Sequence, residues 1–307
     1  MSLTLSAIIP TKNRPDDLIR AVDSIVAQTR PPQELLIIDQ SDGMASEDAI
    51  RGRFANVTGT TLVYIHDTAI TGLVDAKRVG SERATTDIVC FLEDDVVLAP
   101  DYMEQIEWGF TTQPDMWGCS GIITNMARSS PFYLVAQAIF FRGIFRDPRL
   151  PLTARALEGT SQLTLCDVLS GGLSSWRRDV FRHVQFDTAN RFFMFEDMEF
   201  STRVVQALGH HLYINPRARL LHLSSAVNRD RHGTRQHRKM REALIFYKKR
   251  RSWAGSTSGL LLVSVWWLTE ALVQAVRLRS VGPLAGYVRG VAEGVQTPLC
   301  PALPERT

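Results

Sequence analysis

Residues 88–95 read Ile-Val-Cys-Phe-Leu-Glu-Asp-Asp. Five apolar residues run straight into three adjacent carboxylates. A short run that is apolar at every position fits a strand buried on both faces. The polar cluster marks where it leaves the core. Toward the N-terminus the same pattern recurs three times. Leu3–Ile9 runs into Thr11-Lys12-Asn13, Leu35–Ile38 into Asp39-Gln40-Ser41, and Thr61–Ile65 into His66-Asp67. Helix signals lie between these strands. Pro15 stands where a first helical turn begins, followed by an apolar stripe at Leu18, Ala21, Val22, Ile25 and Val26. Gly72–Arg83 reads as a further helix. Alternating strands and helices predict an α/β fold with a mostly parallel central sheet flanked by helices. Ligands bind beyond the carboxyl ends of such strands, so four polar clusters converge on one expected binding edge.

After Trp117–Ile123 the alternation stops. Residues 127–162 hold the aromatic run Phe132–Phe145 without a clear period and read as an insertion. Ser170-Gly171-Gly172 is a turn. Glu196–Leu208 is an amphipathic helix stopped by Gly209. Leu212–Ile214 and Arg219–Leu223 read as two short strands, and His232–Arg251 as a helix.

The 307 residues, 45% hydrophobic and 22% charged, suffice for one large core and exclude a disordered chain. Cys90, Cys119, Cys166 and Cys300 are scattered with no C-x-x-C pair, which argues against a zinc knuckle or redox motif and fits a reducing cytosol. The N-terminal apolar stretch is short and broken by Pro10 and Lys12, so it reads as a strand rather than a signal peptide. Charge is uneven. Arg217–Arg251 holds 12 basic and 2 acidic residues, while the rest is net acidic. That asymmetry suits a phosphate-rich partner or, for part of the run, a solvated helix face.

Thr257–Val276 carries one charge, Glu270, over a length that could span a bilayer. Glu270, Gln274 and Arg277 fall on one helical stripe, which favours a helix lying in the membrane interface with this stripe outward. Gly282, Gly286, Gly290 and Gly294 line one face of a following helix, where another helix could approach closely. The alternative for this tail is a helical cap on a soluble core.

Glu93, Asp94 and Asp95 repel one another unless a cation neutralises them, and a hard divalent ion does so using carboxylates and phosphate oxygens. Glu196, Asp197 and Glu199 open a helix, where carboxylates complement the dipole. Phe192, Phe193 and Phe195 precede them, and carboxylates beside apolar rings become better bases. A lone His222 follows a strand, a placement that spacing alone leaves open.

Four segments taken in order resemble the family 2 glycosyltransferases, inverting enzymes of the GT-A (Rossmann-like) fold: AIIPTKNRPDDLIRAVDSIVAQT (7–29), ELLIIDQSDG (34–43), TGLVDAKRVGSERATTDIVCFLEDDVVLAPDYM (71–103) and FDTANRFFMFEDMEFSTRVVQALGHHLYINPRARLLHLSS (186–225). The resemblance covers about residues 4–250. It implies a nucleotide-sugar-binding half (1–125) and an acceptor-side half (126–250), which leaves 251–307 as the helical, membrane-associating tail read above. It implies that Pro10, Thr11, Asn13 and Arg14 line the nucleotide pocket. Asp39 would bind the base or ribose, and Gly72 and Lys77 would lie under the donor. Glu93 and Asp94 would also contact the donor. Asp95 and His222 would hold Mg²⁺ or Mn²⁺, Asp197 would be the general base, and Gly171-Gly172 would border the sugar. The implied partners are a UDP, dTDP or GDP sugar, a glycan or lipid-linked acceptor and a membrane surface, with no nucleic acid. The implied setting is bacterial polysaccharide or glycolipid synthesis on the cytoplasmic face of the cell membrane.

The sequence departs from the family in placing Glu93 first in the D-x-D motif and Lys77-Arg78 where Arg-Asn is frequent. It has no Q-x-x-R-W motif, which predicts single additions rather than polymerisation. The rival readings are a sugar nucleotidyltransferase, which would need a glycine-rich loop where PTKNRPDD stands, and an inactive GT-A membrane scaffold, against which Asp95 and Asp197 argue.

Overall fold

A computed structural model describes residues 2–54, 57–126, 130–190, 192–225, 227 and 230–299. Cys300 and residues 127–129 of the irregular stretch lie outside them. The first half runs β1 (Leu5–Thr11), α1 (Pro15–Val26), β2 (Glu34–Asp39), α2 (Ala45–Phe54), β3 (Thr61–His66), α3 (Leu73–Arg83), β4 (Ile88–Phe91), β5 (Val96–Leu98), α4 (Tyr102–Thr112) and β6 (Gly118–Ile123). It continues with α5 (Pro131–Phe140), α6 (Arg149–Leu157), β7 (Thr164–Leu165), β8 (Ser174–Arg177), α7 (Val180–His183), α8 (Glu196–Leu208) and β9 (Leu212–His222). Three helices follow: α9 (His232–Arg250), α10 (Ser256–Arg277) and α11 (Gly282–Gln296).

The strands form one sheet in the order β3-β2-β1-β4-β8-β6-β9-β5, with β7 paired to β9. β3, β2, β1 and β4 are parallel, while β8, β5 and β7 run against their neighbours. Both faces are covered, and side-chain alternation sorts the residues. Leu5, Ala7 and Ile9 of β1 pack into the core with α1 and α4, while Ile8 packs opposite with residues of α3 and α8. Each such Ile or Leu, fully withdrawn from water, contributes about 1.5–3 kcal/mol of hydrophobic stabilisation.

The register aligns the predicted polar clusters. Thr11 pairs with Asp39, and Asp39 with His66. Where the sequence suggests two strands at 212–214 and 219–223, the structure has one strand, β9. Its register against β6 shifts between Ser120 and Ile122, so the irregularity at Asn215-Pro216 is absorbed within the strand.

A third core lies under the C-terminal helices, where Met240, Ala243 and Phe246 of α9 meet Val263 and Trp267 of α10. The glycine face of α11 presses on α9. A Cβ on Gly286 would overlap the carbonyl of Gly233, and one on Gly290 that of His237. The polar stripe of α10 faces the protein, not outward as the sequence suggests. Glu270 pairs with Lys239 at 2.6 Å and Gln274 meets Gln236 at 3.3 Å, leaving only Arg277 exposed. The reason is that α9 supplies a cation and an amide on the side where α10 needs partners. The exposed side of α10 is the apolar one, with Leu261 64% and Val276 78% exposed.

Candidate active site

The row of strand ends is tied together by side chains. Asp39 is fully buried, receives a hydrogen bond from Tyr64 at 2.7 Å and caps the Ser41 N–H at 2.8 Å. Burial and the Asp39 carboxylate push the Tyr64 hydroxyl well up, so it stays a donor. Asn13 adopts φ 54° and exchanges hydrogen bonds with Asp42 while its N–H reaches Ser41. Gly72, at φ 90°, donates its N–H to Gln40 at 2.8 Å as α3 begins. Pro10 is half-buried within β1. Thr11, Asn13, Arg14, Asp39 and Gly72 therefore border one edge, as the sequence predicts.

The three carboxylates after β4 separate into two roles. Asp94 turns toward β1, accepting from Thr11 at 2.7 Å and from Arg14 at 2.9 Å. Burial nevertheless holds its carboxyl above the usual range. Glu93 and Asp95 turn the other way, toward His222, whose Nε2 lies 3.2 and 3.1 Å from their oxygens. The pairing of Val96 with His222 in the β5–β9 ladder brings this histidine beside Asp95. Burial pushes Glu93 up, with the neighbouring Asp95 adding to it. Asp95 is held below the usual range, against its burial, by hydrogen bonds from His222 and the Ser225 N–H. The ligand atoms of Glu93, Asp95 and His222 all lie within 4.8 Å of one another. Two carboxylates and an imidazole suit Mn²⁺ and tolerate Mg²⁺, and a cation there would relieve the repulsion between Glu93 and Asp95. Glu93 thus joins the predicted pair Asp95 and His222 as a candidate ligand.

Gly171 and Gly172 stand between this cluster and α8. A Cβ on Gly172 would overlap the Glu93 carboxylate, and one on Gly171 that of Glu196. Lys77 lies buried below, donating to Glu196 at 2.6 Å and to the Gly171 carbonyl at 2.9 Å. The lysine thus supports the glycine turn and the neighbour of Asp197, with its ammonium already engaged. Burial raises the Glu196 carboxyl.

Asp197 is held by two groups. Its Oδ1 accepts the Met198 N–H at 2.7 Å, and its Oδ2 is paired with Arg149. Arg149 also grips Asp147 through two bonds of 2.8 Å and reaches the Leu169 carbonyl at 3.2 Å. Despite burial, Asp197 and Asp147 hold the guanidinium firmly charged. Behind the loop, Glu242 of α9 accepts the N–H groups of Phe193 and Met194 at 3.0 and 2.7 Å, fixing the chain that leads into Asp197.

Residues 6–146 match the glycosyl transferase family 2 profile. The chain carries a family 2 glycosyltransferase domain. Over 136 residues it is 25% identical to a glucosyl-dolichyl phosphate glucuronosyltransferase of Haloferax volcanii, covering 43% of this chain and 42% of that protein. Over 182 residues it is 26% identical to a hyaluronan synthase of Streptococcus pyogenes, covering 57% of this chain and 41% of that protein. The matches thus span less than half the length of these relatives. Its fold is that of the mannosyltransferase PcManGT from Pyrobaculum calidifontis, solved with GDP-Man and Mn²⁺, at TM-score 0.61 and 15% identity, over 96% of this chain and 88% of that one. GalNAc-T7, solved with UDP, GalNAc and Mn²⁺, matches at TM-score 0.61 and 17% identity, over 81% of this chain and 50% of that one. The architecture is therefore the expected GT-A α/β fold.

Sequence reading of the glycosyltransferase domain missed Arg149 and Glu242. Arg149 sits in the stretch without a period, and Glu242 in a run dominated by basic residues. Neither position carries a local signal, because both reach the site through tertiary packing.

Proposed function

We propose that the protein transfers a sugar, with inversion, from a nucleoside-diphosphate sugar to an acceptor hydroxyl, one sugar per encounter. The observation that carries this reading is the Gly171-Gly172 turn, which sets Glu93, Asp95 and His222 on one side and Glu196 and Asp197 on the other. A donor would lie along the strand ends, its nucleoside near Asp39, Asn13 and Gly72 and its pyrophosphate near Arg14 and the cluster. A divalent ion held by Asp95, His222 and Glu93 would supply Lewis-acid stabilisation of the leaving diphosphate. Asp197 takes the acceptor proton as that oxygen attacks the anomeric carbon. The bond from that carbon to the diphosphate oxygen breaks on the opposite face, and the electron pair leaves with the nucleoside diphosphate. Arg149, paired with Oδ2, keeps Asp197 aimed, which is a positioning task.

The solved neighbours with UDP or GDP-Man and Mn²⁺ support the donor class. The relative that acts on a dolichyl phosphate sugar favours a lipid-linked acceptor. The exposed apolar side of α10 supports peripheral docking of the C-terminal helices on a membrane, and the setting proposed for it is the cytoplasmic face, in bacterial polysaccharide or glycolipid synthesis. The Lys248–Arg251 cluster contributes less to such docking than its sequence suggests. Lys248 is bound to the carbonyls of Val295 and Thr297, Lys249 to Asp187 and Glu199, and Arg250 to Gln206. The test is a panel of UDP, dTDP and GDP sugars with Mg²⁺ or Mn²⁺, read by thermal shift and then by donor hydrolysis. One sugar nucleotide should stabilise the protein in the presence of metal and be hydrolysed slowly without acceptor. If none does either, the proposal fails.

A further inference from the structure

α5 interrupts the catalytic domain between β6 and α6, and most of its apolar residues point away from the protein. Phe132 is 75% exposed, and Val135 and Ile139, one and two turns on, are 59% and 44% exposed. The helix Pro131–Phe140 contains no charged residue. It leans on α10 through Trp266, whose ring centroid lies 6.5 Å from that of Phe132 and 5.4 Å from that of Phe140. On α10, Leu261, Val265, Leu268, Leu272 and Val276 form an exposed stripe at helical spacing. Its one acidic group, Glu270, is engaged by Lys239. Two apolar helix faces, on segments 116 residues apart in sequence, thus adjoin across a tryptophan.

We propose that α5 and α10 form one docking face for a bilayer containing anionic phospholipid, so that the catalytic domain itself touches the membrane. The inference rests on the membrane reading given above for α10 and adds α5 to it. Charge at the margins identifies the occupant. Arg142 and Arg251 are exposed near the start of α10, where Gly143 packs on Gly255, and Arg277 and Arg279 are exposed at its end. Among the described residues, neither helix presents an exposed carboxylate. A second copy of the chain laid on this face would set arginines against arginines in either orientation of α10. A negatively charged lipid surface meets both ends with opposite charge, while its acyl region accepts the apolar stripe. Arg149 begins α6 only nine residues after α5 ends, so the docked face adjoins the part of the chain that holds Asp197.

The experiment uses the full chain with Val135→Glu on α5 and Leu272→Glu on α10, both exposed positions. Vesicles of phosphatidylcholine, with and without phosphatidylglycerol, are sedimented with each protein. Each substitution should weaken partitioning onto phosphatidylglycerol vesicles about tenfold or more. The thermal shift by donor should be unchanged. Loss with Leu272→Glu and none with Val135→Glu overturns the role of α5 while leaving the α10 reading intact. No loss with either variant overturns both. Equal binding to phosphatidylcholine alone overturns the choice of an anionic surface. A wild-type dimer that both variants dissociate, seen by sedimentation velocity, overturns the bilayer in favour of a second copy.

Discussion

The rotamer of Asp197 is fixed before any acceptor arrives, because one oxygen holds the Met198 N–H and the other Arg149. Replacing Asp197 by Asn should leave donor binding near wild type and lower turnover about 10²-fold or more, the scale of a lost general base. Poor donor binding with normal turnover would instead make Asp197 a helix-opening residue. Arg149→Ala should also lower turnover at unchanged donor affinity. Added guanidinium should restore part of it, and the same substitution in an Asp197→Asn background should cost little further activity. Its effect on stability should be about 3 kcal/mol, since Asp147 and Asp197 lose their shared cation. Asp95 is predicted to behave differently. Asp95→Ala breaks up the Glu93, Asp95 and His222 cluster, so donor binding and transfer should both be lost, and full transfer in excess chelator would sink metal dependence. The residues of this site divide by legibility. Asp39, Asp95 and Asp197 announce themselves because each follows an apolar strand or opens a helix. Arg149 does not, because its role depends on where a non-periodic insertion comes to rest.

Elements were legible where one rule governs them. The four parallel strands follow from short apolar runs that end in polar residues, buried in β1, β2 and β4 and half-buried in the edge strand β3, and α8 follows from its stripe and Gly209. The polar stripe on α10 was legible as a stripe, but its direction was not, since Lys239 and Gln236 on another helix decide which side is wet. The α11 glycines show the converse case, in which composition foretold the contact. Gly290→Ala should destabilise the protein by about 1–3 kcal/mol in urea unfolding, because the added methyl meets the His237 carbonyl. Gly282→Ala, where a Cβ meets only the Ser280 hydroxyl at 3.3 Å, should be near neutral. Equal effects at both positions would mean that helix propensity, not close packing, explains the stripe.

At the scale of the molecule, Lys249 fastens the C-terminal helices to the sheet domain. It bonds Asp187 at 2.5 Å and also Glu199, which Arg203 holds through two bonds of 2.8 Å. Despite burial, Lys249 and the Asn190 amide hold the Asp187 carboxyl below its usual value. In the unfolded chain that group takes up a proton near pH 3.9, earlier than in the folded one. Its stabilisation is therefore fully present above that pH and is lost as pH falls through the lower folded value. The urea midpoint of the wild type should drop as pH falls below about 4, and Lys249→Met should flatten that drop. An identical acid profile in the variant would show that other carboxylates govern the loss.

The strand order also has a history in time. β1 to β4 pair with one another, so this end of the sheet can assemble as soon as about the first third of the chain has left the ribosome. β5 follows at once yet waits for β9, its partner some 120 residues later, and Asp95 meets His222 only when that ladder closes. On the proposed function, a nascent protein thus carries its donor-binding surface before the place for the counter-ion exists.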